Sequence, residues 1–125
     1  IIDDSYNASP ASMIAALDLL AESKATRRIA VLGHMRELGA AEGEGHELVG
    51  RHAATRCDVL IVSGNDARLL AEAARAANHP DVRVIPTLDE TSEMLRKELR
   101  EGDVCLIKAS RAVGLEAVVG AVVEA

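Results

Sequence analysis

The residues best suited to bind a ligand lie near the start of the chain, in the segment Asp3-Asp4-Ser5-Tyr6-Asn7-Ala8-Ser9-Pro10. Tyr6 is the only tyrosine, and the chain has no phenylalanine or tryptophan. A flat ring can cover a base or sugar, carboxylates can accept hydrogen bonds from ribose hydroxyls, and a helix N-terminus favours anions. The segment therefore indicates a ligand-facing loop. The alternative is a half-buried tyrosine beside a well-capped helix.

A second polar segment lies near the other end, Lys108-Ala109-Ser110-Arg111-Ala112-Val113-Gly114-Leu115-Glu116. Lys108 and Arg111 form a local cationic spot in a chain of net charge −6. Such a spot could hold a carboxylate or phosphate, and Arg111 could bind it with two parallel hydrogen bonds. The alternative is two solvated basic residues after a strand.

The remaining polar segments carry weaker signals. His34 stands in a glycine-flanked loop, although a lone loop histidine is more often structural or solvated than catalytic. Ser63-Gly64-Asn65-Asp66 is typical of a turn followed by a helix cap. His46 and His52 are six residues apart on one predicted helix, so they do not share a face as a pair of metal ligands would. No metal site is predicted.

These segments follow predicted strands. Apolar, β-rich runs predict strands at residues 29–32, 59–62, 82–85 and 104–107, after a short first strand. Helical periodicity predicts a first helix capped by Ser9 with Pro10 in its first turn. It also predicts helices over residues 44–55, 66–77 and 90–100, and a last helix from Gly114. Their predicted inner positions include Met13, Leu17, Leu20, Leu48, Val49, His52, Leu69, Leu70, Ala73, Ala74, Leu95 and Leu99.

The alternation of strands and helices predicts one α/β domain over residues 1–125. We expect a Rossmann-like layered sheet, mostly parallel, of five to six strands with helices on both faces, because nearly continuous apolar strands suit a sheet covered on both sides. Ligands of such sheets bind beyond the carboxyl ends of the strands, where the polar segments above lie.

Composition excludes several classes of protein. The net charge of −6 argues against a general nucleic-acid or membrane-surface binder. No apolar run is long enough to span a bilayer, and no signal-peptide pattern is present. Cys57 and Cys105 fall in predicted buried strands, which indicates reduced core thiols in a cytoplasmic protein. The chain begins inside a strand without an initiator methionine, so we expect a domain excised from a longer protein.

Two phosphate-binding motifs are absent from this sequence. It contains no Gly-x-x-x-x-Gly-Lys-Ser/Thr phosphate loop. No Gly-x-Gly-x-x-Gly opens the first helix, which argues against a dinucleotide oxidoreductase.

Three segments, in order, resemble the C-terminal domain of the Mur ligases. They are Asp3 to Pro10, Leu32-Gly33-His34-Met35-Arg36-Glu37-Leu38-Gly39 with His46 downstream, and Lys108 to Glu116. The first segment resembles the Asp-Ser/Thr-Tyr-Asn-Ala-Asn pattern of the members that add D-alanyl-D-alanine to UDP-N-acetylmuramoyl-tripeptide. The resemblance covers essentially the whole chain.

The chain departs from the family pattern at four positions. The family usually has asparagine where Ser9 stands, aspartate where His34 stands, and glycine where Ala109 and Ala112 stand. The alanines leave less room beside Ser110 and Arg111, and His34 removes a carboxylate that could orient a substrate or cation.

The resemblance implies an ATP-dependent ligase of peptidoglycan synthesis. The terminal carboxylate of the UDP-linked tripeptide would become an acyl phosphate, which the amine of D-Ala-D-Ala attacks. The phosphate loop and the Mg²⁺ ligands would belong to a central domain, and the UDP end would bind an N-terminal domain. This domain would hold no catalytic residue of its own, so it would not turn over ATP alone.

Roles for individual residues also come from the resemblance. The nucleotide would be bound by Asp4, Tyr6 and Asn7. The dipeptide would be bound by Lys108, Ser110 and Arg111. The same cleft would be lined by His34, Arg36 and Glu37. Two alternatives stay open: a related Mur-type or folylpolyglutamate-type ligase domain with another amino-acid substrate, and a non-catalytic nucleotide-binding module.

Overall fold

The computed structural model describes residues 2–3, 9–35 and 42–108. In chain order their elements are β1 (Ile2–Asp3), α1 (Pro10–Glu22), β2 (Arg27–Gly33), α2 (Glu42–Ala53), β3 (Val59–Ser63), α3 (Arg68–Ala76), β4 (Val82–Ile85), α4 (Leu88–Glu98) and β5 (Asp103–Lys108). A short 3₁₀-helix, Asn65–Ala67, leads into α3. The helix predicted from Gly114 lies outside the described residues.

The strands form one sheet in the order β1-β5-β2-β3-β4, and every neighbouring pair is parallel. This confirms the predicted fold class, and the described residues contain five strands. Within the described part of the chain, no helix has both the length and the apolar character required to cross a bilayer.

Both faces of the sheet carry apolar side chains, because successive side chains point to opposite faces and the central strands are apolar at consecutive positions. On β2, Ala30 and Leu32 pack in a core with α1, α2 and α3, whereas Ile29 and Val31 pack against α4. The prediction of helices on both faces is therefore confirmed, and it follows from the continuous apolar runs.

The start of α1 matches the prediction. Ser9 is the N-cap: its Oγ accepts from the Ser12 amide at 3.2 Å, and the Ser12 Oγ accepts from the Ser9 amide at 2.9 Å. Pro10 occupies the first helical position, where a missing N–H costs nothing. The predicted inner residues Met13, Leu17 and Leu20 are all buried.

The prediction that Leu48 and Leu69 face the core is wrong. Leu48 and Leu69 are 44% and 43% exposed, and their chain neighbours Val49 and Leu70 are buried instead. Consecutive residues on a helix point about 100° apart, so only one of each apolar pair can face the sheet.

Two local predictions also need correction. Gly64, with φ of 97°, makes the predicted turn, but no side chain caps α3, because the 3₁₀ turn satisfies the Arg68 amide through the Asn65 carbonyl. Cys57 lies two residues before β3 rather than inside it.

Candidate functional site

The ends of the strands define one side of the molecule, which we call the carboxyl edge. The register aligns neighbouring strands there: Asp3 with Ile107, Leu32 with Lys108, Gly33 with Ser63, and Ser63 with Ile85. β1 and β5 are direct neighbours. The last described residues before Tyr6 and before Arg111 in the sequence, Asp3 and Lys108, therefore lie on adjacent strands at the same edge.

Most of the predicted site residues lie outside the described part of the chain. They are Asp4, Tyr6, Asn7, Arg36, Glu37, Ser110 and Arg111. The structure describes Lys108 and His34, and it places both where strands reach the carboxyl edge.

Lys108 is the last residue of β5 and is only 1% exposed. Val104 and Leu106 pack toward α1–α3, so the alternation along β5 directs Lys108 to that side of the sheet. The interpretation of Lys108 as a solvated surface lysine is wrong.

His34, Met35 and His46 come together directly after β2. The His46 Nε2 accepts a hydrogen bond from the Met35 amide at 2.9 Å. The rings of His34 and His46 stack with their centroids 4.9 Å apart and their planes 20° apart. His46 is 2% exposed and Met35 is fully buried. The first residues of the loop after β2 are thus held against α2.

The start of α4 is attached to the end of β3 by two hydroxyls. The Thr91 hydroxyl donates to the Thr87 carbonyl at 3.0 Å and lies 3.2 Å from the Ser63 Oγ. Thr87 also caps α4 by accepting from the Glu90 amide. These bonds fix a further part of the carboxyl edge with neutral groups.

The departure from the family pattern at Ser9 has a local explanation. Serine and asparagine are both preferred N-cap residues, and Ser9 makes the capping bonds described above. The substitution therefore preserves the start of the helix that follows the Tyr6 segment.

The strand starts define the opposite side, which we call the amino edge, and ion pairs occupy it. Arg27 bridges β2 and β5 through two bonds to the Asp103 carboxylate, at 2.7 and 3.3 Å. Arg83 bonds both Asp81 and Glu98. Hydrogen bonds from these arginines lower the pKa of Asp103 and of Asp81. The charges are paired within the protein, which indicates a structural role.

The two cysteines are unsuited to nucleophilic chemistry. Burial raises the pKa of Cys57 and of Cys105 to about 12. The thiolate is the nucleophile, so both side chains are inert near neutral pH. Both are free cysteines, as the sequence led us to expect.

Two histidines have structural partners that sequence reasoning missed. His79 is buried, with its Nε2 2.8 Å from the Cys57 carbonyl and its Nδ1 accepting from the Asp81 amide. His46 is the other histidine, and its partner is the Met35 amide. The only sequence signal for His46 was its position downstream of the glycine-flanked loop.

This geometry defines a class of protein: a parallel α/β domain whose polar loops leave neighbouring strands at the carboxyl edge, where such sheets bind ligands. Residues 1–111 match the family model described as "Mur ligase, glutamate ligase domain". The chain belongs to the Mur ligase family and corresponds to that domain.

Curated relatives and solved structures agree with this assignment. The UDP-N-acetylmuramoyl-tripeptide--D-alanyl-D-alanine ligase of Mycobacterium tuberculosis (strain CDC 1551 / Oshkosh) is 42% identical over 145 residues, covering 98% of this chain and 28% of the relative. The enzyme of the same name from Synechocystis is 40% identical over 120 residues, covering 95% of this chain and 26% of the relative. The chain thus spans about a quarter of the length of these relatives.

A similar fold is found in the MurF ligase from Thermotoga maritima in complex with ADP. It has a TM-score of 0.82 and 28% identity, covering 98% of this chain and 27% of that one. A MurF crystal structure from Acinetobacter baumannii has a TM-score of 0.81 and 26% identity, covering 98% of this chain and 28% of that one.

Proposed function

We propose that this chain is the C-terminal domain of a longer ATP-dependent ligase that joins D-Ala-D-Ala to UDP-N-acetylmuramoyl-tripeptide. The observation that carries the proposal is the parallel pairing of β1 with β5, because the Tyr6 segment follows β1 in the sequence and Arg111 follows β5. Relatives about 40% identical are named for this reaction, and a relative of similar fold has been solved with ADP.

The proposed reaction proceeds in two steps. The terminal carboxylate of the tripeptide attacks the γ-phosphorus of ATP, the bond from that phosphorus to the bridging oxygen of ADP breaks, and an acyl phosphate and free ADP result. The amine of the dipeptide then attacks the carbonyl carbon, loses a proton, and displaces inorganic phosphate. This domain contributes binding and orientation, which lower the barrier by holding the reactants together. We assign the phosphate loop and the Mg²⁺ ligands to a central domain of the same polypeptide.

We assign nucleotide binding to the segment after β1. Asp4 would accept from the ribose hydroxyls, and Tyr6 and Asn7 would flank the nucleotide. The Ser9 and Ser12 capping bonds support this role, because they fix where the segment joins α1.

We assign dipeptide binding to the turn after β5. Arg111 would hold the dipeptide carboxylate with two hydrogen bonds, with Ser110 beside it. Lys108, buried at the end of β5, would be the third residue of this group. The segment with His34, Arg36 and Glu37 would line the same cleft from β2, which neighbours β5.

The remaining partners lie outside this chain. The N-terminal and central domains would complete the cleft, and closure of this domain over the central one would exclude water from the acyl phosphate. We place the reaction in the cytoplasm, as a step of cell-wall precursor synthesis.

The test is a coupled assay of ADP and phosphate release by the full-length protein. Turnover is expected only when UDP-N-acetylmuramoyl-tripeptide and D-Ala-D-Ala are both present. The product should have the mass of the two substrates minus one water. Equal turnover with glutamate or another single amino acid would assign the chain to a different ligase. ATP binding without any acceptor-dependent turnover would favour the non-catalytic module.

A further inference from the structure

We propose that His46 is a positioning residue for the dipeptide side of the cleft. It touches no reacting group, and it acts by fixing the chain where it leaves β2. The proposal rests on the proposed function, because the loop after β2 is taken to line the site.

The first support is the hydrogen bond from the Met35 amide to the His46 Nε2 at 2.9 Å. Met35 follows the last residue of β2 by only two positions, and it is fully buried. A buried amide that loses its acceptor is left without a hydrogen bond and without water, which destabilises it, so the chain is strongly held to this path.

The second support is the stacking of His46 on His34, with ring centroids 4.9 Å apart. One ring therefore fixes both a backbone amide and the neighbouring side chain that the family resemblance places in the cleft. On the adjacent strand, Lys108 pairs with Leu32, which lies three residues before Met35 in the sequence. His46 thus sets the position of the loop next to the residues assigned to the dipeptide.

The Met35 bond also defines which replacements should work. The Nε2 is an acceptor here, so the neutral ring carries its proton on Nδ1. Glutamine can place an amide oxygen at a reach similar to Nε2, whereas leucine offers no acceptor and asparagine is too short. A purely space-filling role would not distinguish His46→Gln from His46→Leu in this way.

His52 supplies a matched control on the same helix. It lies six residues further along α2, about 9 Å toward the amino edge, and bonds Asp18 of α1 at 2.8 Å. His52→Leu removes a histidine contact from α2 without touching the loop after β2. Its expected effect is a lower melting temperature with unchanged Michaelis constants.

The kinetic test uses the full-length protein at a temperature where every variant is folded. His46→Leu is expected to raise the KM for D-Ala-D-Ala about tenfold with the KM for ATP unchanged. The KM of His46→Gln for D-Ala-D-Ala is expected to stay within about threefold of the value for the unchanged protein. If His46→Leu does not fold, His46→Asn replaces it. An unchanged dipeptide KM, or equal losses in His46→Gln and His46→Leu, would overturn the proposal.

Hydrogen exchange at the Met35 amide separates this proposal from the proposed function. We expect exchange to be at least about tenfold faster in His46→Leu and near normal in His46→Gln and His52→Leu. If the unchanged protein shows no dipeptide-dependent turnover, the proposed function fails. Exchange then decides alone whether His46 positions the loop, and an unchanged Met35 rate in His46→Leu would refute that role.

Discussion

The two edges of the sheet use charge in different ways. At the amino edge, Arg27 and Arg83 are bound to carboxylates within 3.3 Å. The Arg27 bonds join β2 to β5, and an Arg83 bond joins β4 to α4. At the carboxyl edge, the described contacts of His46 and Ser63 are hydrogen bonds to neutral groups. Of the basic residues assigned to the dipeptide, Lys108 ends β5 at this second edge, and Arg111 follows β5 in the sequence.

The difference separates a stabilising role from a binding role on one scaffold. Bonds that pair charges internally hold strands together, and they leave those charges little capacity for a ligand. Loops after the strands can present charge to a substrate while the sheet stays unchanged. We therefore expect substitutions at the two edges to affect different measurements, as the following variants test.

The largest effect is expected for Arg111→Ala in the full-length protein. Loss of a charge-assisted, two-bond contact with the dipeptide carboxylate should raise the KM for D-Ala-D-Ala about 100-fold. The KM for ATP should change less than about threefold. Arg83→Met serves as the amino-edge control and should leave both constants unchanged. A dipeptide KM that does not respond to Arg111→Ala would remove that residue from the site.

The next effect is expected for Arg27→Met in the 125-residue chain. It leaves the Asp103 carboxylate, only 4% exposed, without its arginine. The free energy of unfolding should fall by about 2 kcal/mol, between the values typical of exposed and buried pairs. Lys97→Met, which breaks the exposed pair with Glu93, should cost less than about 0.5 kcal/mol. Equal losses in urea denaturation would contradict a structural role for the amino edge.

A smaller effect is expected for Tyr6→Ala. If the ring flanks the nucleotide as proposed, its loss should raise the KM for ATP about tenfold, since stacking of a ring on a base is worth about 1–3 kcal/mol. The KM for D-Ala-D-Ala should stay unchanged, and Tyr6→Phe should retain most of the affinity for ATP. If Tyr6→Ala altered only the melting temperature, the half-buried structural tyrosine would be the better interpretation.

The smallest effect is expected from acid pH. Arginine hydrogen bonds lower the pKa of Asp81 and Asp103 below the usual 3.8, so both groups stabilise the folded chain above that pH. Stability should be lost as pH falls below about 3.8, because the unfolded state then binds more protons. Asp81→Asn/Asp103→Asn should show a shallower decline in this range. An equally steep decline in both proteins would assign the acid loss to other carboxyl groups.

Much of the fold could be predicted from local sequence. The predicted strand at residues 82–85 matches β4, although Arg83 interrupts its apolar run. The other three predicted runs lie inside β2, β3 and β5, where nearly continuous apolar runs mark covered strands. Ser9 and Pro10 located the start of α1 because each acts within one helical turn. The predictions for Leu48 and Leu69 were wrong because the sequence of two adjacent apolar residues does not show which of them faces the sheet.

The remaining features depend on contacts between distant parts of the chain. The Arg27–Asp103 pair exists because β2 lies beside β5, and strand order is not readable from either segment alone. The bond between Met35 and His46 joins a loop to a helix eleven residues later. The predicted strands placed His34 and Lys108 just after strand ends, but only the structure shows that Lys108 is buried.

The most direct test of the central claim is hydrogen exchange of the full-length protein with and without an unhydrolysable ATP analogue and D-Ala-D-Ala. We predict that ligands slow exchange in the segments after β1, β2 and β5 and leave the amino-edge peptides around Arg27 and Arg83 unchanged. Protection confined to the amino edge, or absent from the segments containing Tyr6 and Arg111, would contradict the assignment of the site to the carboxyl edge.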